Sequence, residues 1–202
     1  MRMAALAALF ALAGAAAAQA APPANDPDWP CQQPFMPTLT AASFWSGPTA
    51  AGDWHANDKV ADLVREIAPR DVAAGDGVTA IGAFAKPLPA ASRQQLLPLV
   101  FAGLVEATNE ERNLLLTKLK EFGARQRNLS TLIGKLTAEH DAIPPDATGD
   151  DGKRRADLAE RMDYTIRAFD GMQRTIRYAC EAPVALEGRL GAYARALEAA
   201  LN

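Results

Sequence analysis

Residues 115–140 read LLTKLKEFGARQRNLSTLIGKLTAEH and residues 158–179 read LAERMDYTIRAFDGMQRTIRYA. In the first stretch Leu115, Leu119, Phe122, Gln126, Leu129, Ile133, Leu136 and His140 recur by four and three. In the second, Leu158, Met162, Thr165, Phe169, Met172, Ile176 and Ala179 do the same. That spacing gathers apolar side chains into one stripe on each of two helices, the seam of a heptad repeat. Between them Pro144, Pro145, Asp146, Gly149 and Gly152 make a loop. Long helices joined by a short polar loop pack antiparallel. The pattern therefore predicts a hairpin over about residues 109–181, roughly 40–45 Å long at 1.5 Å per residue. Folding about the loop sets position 126 against 168 and position 180 against 114, with Cys180 at the end away from the loop.

Upstream, Val60, Leu63, Val64 and Ile67 mark one helix face, closed by Pro69. Asp71 is the expected cap of a shorter helix carrying Val78, Ile81 and Phe84, weakened by Gly75 and Gly77. Ser92 is expected to open a third, with Leu96, Leu97, Val100, Phe101 and Leu104 inward and Pro98 a potential kink. Downstream, Pro183 should end the second hairpin helix, and Leu186, Leu190, Tyr193 and Leu197 form a last apolar face. No segment alternates as a strand does. The expected fold is all-α: an elongated helical bundle dominated by a long antiparallel hairpin, within a helical domain at 54–202.

Residues 21–53 are different. Seven prolines and two of the three tryptophans fall there, and that proline density forbids long helices. Yet Trp29, Phe35, Met36, Leu39, Phe44 and Trp45 are too apolar for a free linker. The segment should be extended and should lie against the body of the chain or a partner.

Residues 1–20 read as a signal peptide. Arg2 gives the positive start and 4–18 an apolar run too short to span a bilayer, which needs about 20 residues. Ala18-Gln19-Ala20 fits small-x-small cleavage, and Pro22-Pro23 follows. The competing reading, a membrane anchor, is opposed by the short run. No cysteine follows closely enough for a lipoprotein, and no later run is apolar enough to span. The Ala, Arg and Pro usage fits a high-GC Gram-negative bacterium, and hence the periplasm. Removing Arg2 moves the formal net charge from −3 to −4, which argues against nucleic acid or acidic membrane as partner.

Cys31 and Cys180 are the only two cysteines. In an oxidising compartment an even pair reads first as a disulfide. Free thiols and a metal or redox role remain open at this point.

Catalytic patterns are sparse. Two histidines, His55 and His140, give few acid–base or metal constellations, and neither follows a Glu by three as a di-iron bundle requires. No haem-attachment, Walker, nucleophile-elbow or zinc-protease motif is present. No catalytic residue, metal ligand or cofactor is expected. Asp157–Arg161, Asp163–Arg167 and Asp170–Arg174 are spaced as helix ion pairs. They and Lys153-Arg154-Arg155 read first as solvated charge.

Two stretches are more specific. One runs from Asp28-Trp29-Pro30-Cys31-Gln32-Gln33 to Phe44-Trp45-Ser46-Gly47-Pro48, and the other is Arg177-Tyr178-Ala179-Cys180-Glu181-Ala182-Pro183-Val184. Together they resemble a family of exported proteobacterial proteins of unknown function. The resemblance implies an exported, helical, cysteine-paired protein and brings no activity.

The expected function is a non-enzymatic periplasmic scaffold, adaptor or chaperone-like accessory that binds another periplasmic protein. Trp29, Phe35, Trp45, Trp54 and His55 form its candidate interaction surface, because tryptophan concentrates at binding hot spots. The alternative is a carrier for a small ligand or metal. Its pocket would lie between Trp29, Trp45, Trp54, His55 and the bundle end, with Met36 or a free cysteine as soft ligand.

Overall fold

A computed structural model of the chain describes residues 26–202, so the expected signal peptide lies outside the described residues. Five α-helices follow the extended segment: α1 Asp58–Ile67, α2 Ala74–Ala85, α3 Ala90–Asp141, α4 Gly149–Ala179 and α5 Glu181–Leu201. No strand occurs among the described residues. The chain is all-α, as the heptad spacing implies.

Helix α1 shows how local chemistry sets its bounds. The Asn57 side chain accepts the Val60 N–H at 3.1 Å, closing the N-terminus. Val60, Leu63, Val64 and Ile67 are its buried stripe. Ala68 keeps helical dihedrals and bonds back to the Val64 carbonyl, the helix stops before Pro69, and the carbonyls left at its end are taken up from α5. The Arg189 guanidinium donates to the Ala68, Pro69 and Val72 carbonyls, and Tyr193 Oη to Ile67 O at 3.2 Å.

Helices α1, α2, α5 and the first part of α3 form a head around one aliphatic core. It includes Val60, Ile67, Ile81, Leu97, Val100, Phe101, Leu104, Leu190, Tyr193 and Leu197. Beyond it, α4 runs back along the rest of α3 as a two-helix arm. Every seam residue of 115–140 and 158–179 is buried or half-buried. At the loop end Leu136, Ile143 and Leu158 make a small second core. Arg155 leaves the solvated cluster expected of it and donates to the carbonyls of His140 and Ile143, capping α3. Among the described residues no helix is long and apolar enough to cross a membrane.

Four boundary expectations are corrected. Helix α3 is one unbroken element of 52 residues, about 78 Å at 1.5 Å per residue, so the hairpin's first helix begins well before 109. It passes through Pro98, which removes only the bond to the Gln94 carbonyl. It opens at Ala90 behind Pro89, whose extended backbone sets the turn, so Ser92 lies inside it. Helix α2 opens behind Ala73 with no side-chain cap, Asp71 lying too early in the turn. The break between the last two helices falls at Cys180. Pro183 lies in the first turn of α5, where a missing N–H leaves no bond unmade.

The register agrees with pairing the two helices about the loop. Leu136 shares a small core with Ile143 and Leu158, the same pairing that sets 126 against 168 and 180 against 114. Leu115 of α3 lines one cleft with Ala182, Ala185 and Leu186 of α5. Cys180 therefore stands at the end of the hairpin away from its loop, beside the middle of α3, where head and arm meet.

Candidate functional site: a strapped segment and an amide-lined groove

Apart from a short 3-10 turn at Ala41–Ser43, proline keeps residues 26–53 out of regular helix, so most of their main-chain groups must find partners elsewhere. The body supplies side chains for this. The Asn109 carboxamide pairs with Leu39 in both directions, accepting its N–H at 2.8 Å and donating to its carbonyl at 3.0 Å. Arg112 Nη2 donates to the Met36 carbonyl at 3.0 Å and to Glu187 Oε1 at 2.9 Å. Gln33 Nε2 donates to the Cys180 carbonyl at 2.7 Å. Glu198 Oε1 accepts both the Ser46 N–H and its hydroxyl. Lys120 meets Asp26 at 2.7 Å, and Arg127 pairs with Asp28. Leu39, 3 % exposed, is the apolar anchor.

The body is shaped for this strap. At Gly123 the Asp28 carbonyl presses against the helix so closely that a Cβ would collide with it. Arg112 is 2 % exposed, yet its Nε and Nη1 have no partner. Its buried guanidinium is spent on one strap carbonyl and one carboxylate of α5. Cys31 and Cys180 are joined in a disulfide, consistent with an oxidising compartment, and no cysteine is left free.

The five residues of the expected interaction surface do not form one surface. Trp29 and Phe35 pack together, centroids 5.1 Å apart, with Lys120 Nζ over the Phe35 ring at 5.3 Å. Trp45 stacks on Phe101 at 4.8 Å, and Trp54 lies against Gly103 and stacks with His55. Positions 101–103 and 120–123 of α3 are about 30 Å apart along the helix, so the first pair and the other three residues occupy different ends. Each indole N–H is engaged: Trp29 with Gln33 O, Trp45 with Pro48 O, Trp54 with Glu106. The tryptophans anchor the strap. The carrier pocket expected between Trp29, Trp45, Trp54 and His55 does not form, and its free-cysteine ligand is absent because both cysteines are bonded.

Another cavity is present. A groove of about 780 Å³ lies where the arm meets the head, walled by the strap at Pro30, Cys31, Gln32 and Gln33 and by Gln126 of α3. The end of α4 gives it Gln173, Ile176 and Arg177, and the start of α5 gives it Glu181, Val184 and Ala185. Its polar lining is four carboxamides together with Arg177 and Glu181, whose formal charges cancel. Ile176 is buried, whereas Val184 is 50 % exposed. Two stretches singled out in the sequence meet here, the first at residues 30–33 and the second at residues 177–184, far apart in the chain and joined by the disulfide. Sequence reasoning missed Asn109, Arg112, Gln173 and Glu198, polar residues on helix faces that carry no periodic signal.

Electrostatics tighten the strap. The Lys120 ammonium, followed by the Asp28 N–H, holds the Asp26 carboxyl below its ordinary range. The Ser46 N–H and hydroxyl do the same for Glu198. At the other end the His55 N–H and ring lower Asp53. On the outer face of α4, Asp157–Arg161 and Asp163–Arg167 pair as their spacing implies. Arg174 does not pair with Asp170 and instead bends back toward Gly171.

No protein-family model, curated protein or solved structure matches the chain.

Proposed function

We propose that this protein is an exported, non-enzymatic adaptor or chaperone-like accessory that works in the periplasm by binding another exported protein. One observation carries the reading. The body holds an extended, proline-broken polypeptide segment by side-chain bonds to its main chain, and beside that segment it leaves an amide-lined groove open. A surface built to hold one extended chain suits holding another. The groove offers carboxamides, one arginine, one glutamate and a completed disulfide, a lining suited to recognition. The signal-peptide pattern at 1–20, the disulfide and the resemblance of the stretches at 28–48 and 177–184 to exported proteobacterial proteins support the compartment.

The test is affinity capture from periplasmic extract with the tagged full chain, followed by titration with each purified candidate. A specific exported protein should be enriched over a tag-only control and should bind directly. The recovered chain should begin at or near Ala21. Retention of Met1 in exported material, or no direct binder, would overturn the reading.

A further inference from the structure

We propose that the groove at the junction of α3, α4 and α5 binds an uncharged, extended peptide stretch of the partner through its main chain; this rests on the adaptor reading. Three observations carry it. First, the groove is continuous with the interface already formed by the strap, since Cys31, Gln33 and Cys180 belong to both. Gln33, Asn109 and Arg112 bind main-chain groups across that interface with their side chains. Second, a carboxamide carries an acceptor and donors side by side, which matches the C=O and N–H of an extended backbone. Asn109 already uses both on Leu39, and Gln33 uses one on Cys180. Gln126 and Gln173 bring the same group to the open part of the groove. Third, the lining has no net charge, and its apolar patches are Pro30, Ile176 and Val184. A ligand charge attracted by Arg177 or Glu181 would be repelled by the other, so the lining gives an ionised ligand no net attraction.

An extended chain sends successive side chains to opposite sides. Its main chain would lie along Gln126 and Gln173, and every second side chain would rest on Ile176 and Val184. Recognition of this kind tolerates many sequences and discriminates against charge and against a blocked N–H.

The test is fluorescence anisotropy on the full chain, using a labelled peptide of alternating Val and Ser. The comparison probes are its N-methylated counterpart and a version with Glu in place of Ser. The unmodified peptide should bind, and each comparison probe should bind roughly tenfold more weakly, the loss of one or two main-chain bonds or of a compatible lining. The Gln126→Ala/Gln173→Ala double variant and Val184→Asp should weaken binding to a similar degree, whereas Tyr164→Ala, on the exposed face of α4, should not. All these positions are at least partly exposed, so circular dichroism should show the same helix content for each. No binding of the Val–Ser peptide, equal binding of the N-methylated probe, or unaffected groove variants would overturn the assignment. A photo-crosslinking residue at position 173 or 164 of the exported chain separates the two readings. Crosslinks to an exported protein from 164 alone leave the adaptor standing and remove the groove, and crosslinks from neither position remove both.

Discussion

Asn109 and Leu39 form a two-way pair: one carboxamide accepts the Leu39 N–H at 2.8 Å and donates to its carbonyl at 3.0 Å. The helix side chain does for the strap what a neighbouring strand would do in a sheet. Replacing it with Ala leaves both main-chain groups of a buried residue without a partner. Asn109→Ala should cost about 2 kcal/mol in urea denaturation, and Asn109→Asp, which keeps the acceptor, should cost less. Equal losses for the two variants would show that the pairing is not what holds Leu39.

The disulfide should act on one half of the strap only. In the chain-entropy picture, removing a crosslink that closes a loop of this size costs about 5 kcal/mol. The seams do not depend on it, so Cys31→Ser/Cys180→Ser should keep its helical circular dichroism while its unfolding midpoint falls. Limited proteolysis should cut more readily around residues 27–35. The stretch around Trp45 and Trp54 should stay protected, because these rings pack on Phe101 and Gly103. Uniform new cleavage across 27–54 would mean that the bond organises the whole segment.

Acid should loosen the strap. Asp26 has its folded pKa lowered, chiefly by the hydrogen bond from Lys120. A lowered carboxyl contributes stability that is fully present above its unfolded pKa, about 4, and is lost as pH falls through the lower folded value. Wild type should therefore exceed Asp26→Asn in chemical stability at neutral pH, and the gap should close below about pH 4. A gap that stays constant down to the acid limb would assign the effect to something other than this carboxyl.

The arm was legible because a four-three repeat is a local property of a helix and needs no knowledge of its neighbours. All the seam positions from Leu115 to His140 and from Leu158 to Ala179 ended up covered. Register was legible as well, since pairing the helices about the loop between them sets Leu136 against Leu158, which share one small core with Ile143. The break at Cys180 was displaced toward Pro183 because a proline in the first turn of a helix looks, in sequence, like one beyond the last turn of the helix before. The cysteine pairing followed from compartment and number. The strap's holders did not: Asn109, Arg112 and Glu198 are ordinary polar letters on helices. Their role exists only once the segment is laid across them. Gly123 was no clearer a sign. A glycine inside a long helix is unfavourable by about 1 kcal/mol against alanine, but Gly134 in the same helix has open space beside it, so the residue type alone does not mark the close approach at Gly123.

That glycine supports the last prediction. Gly123 and Gly134 both lie within α3, two residues of the same kind in the same helix. At Gly134 nothing lies near the position a Cβ would take, whereas at Gly123 the Asp28 carbonyl and Pro30 fill it. Gly134→Ala should thus stabilise the chain by up to about 1 kcal/mol through helix propensity alone. Gly123→Ala gains the same propensity and must push the strap away from α3, disturbing the Asp28–Arg127 and Asp26–Lys120 pairs. Its net stability should fall below that of Gly134→Ala, and protease cleavage should rise near residue 28 in that variant alone. Urea midpoints and cleavage maps of the two variants, measured side by side, check this. If the variants match in both, the close approach of Asp28 to α3 does not constrain the helix, and the glycine has no role in seating the strap.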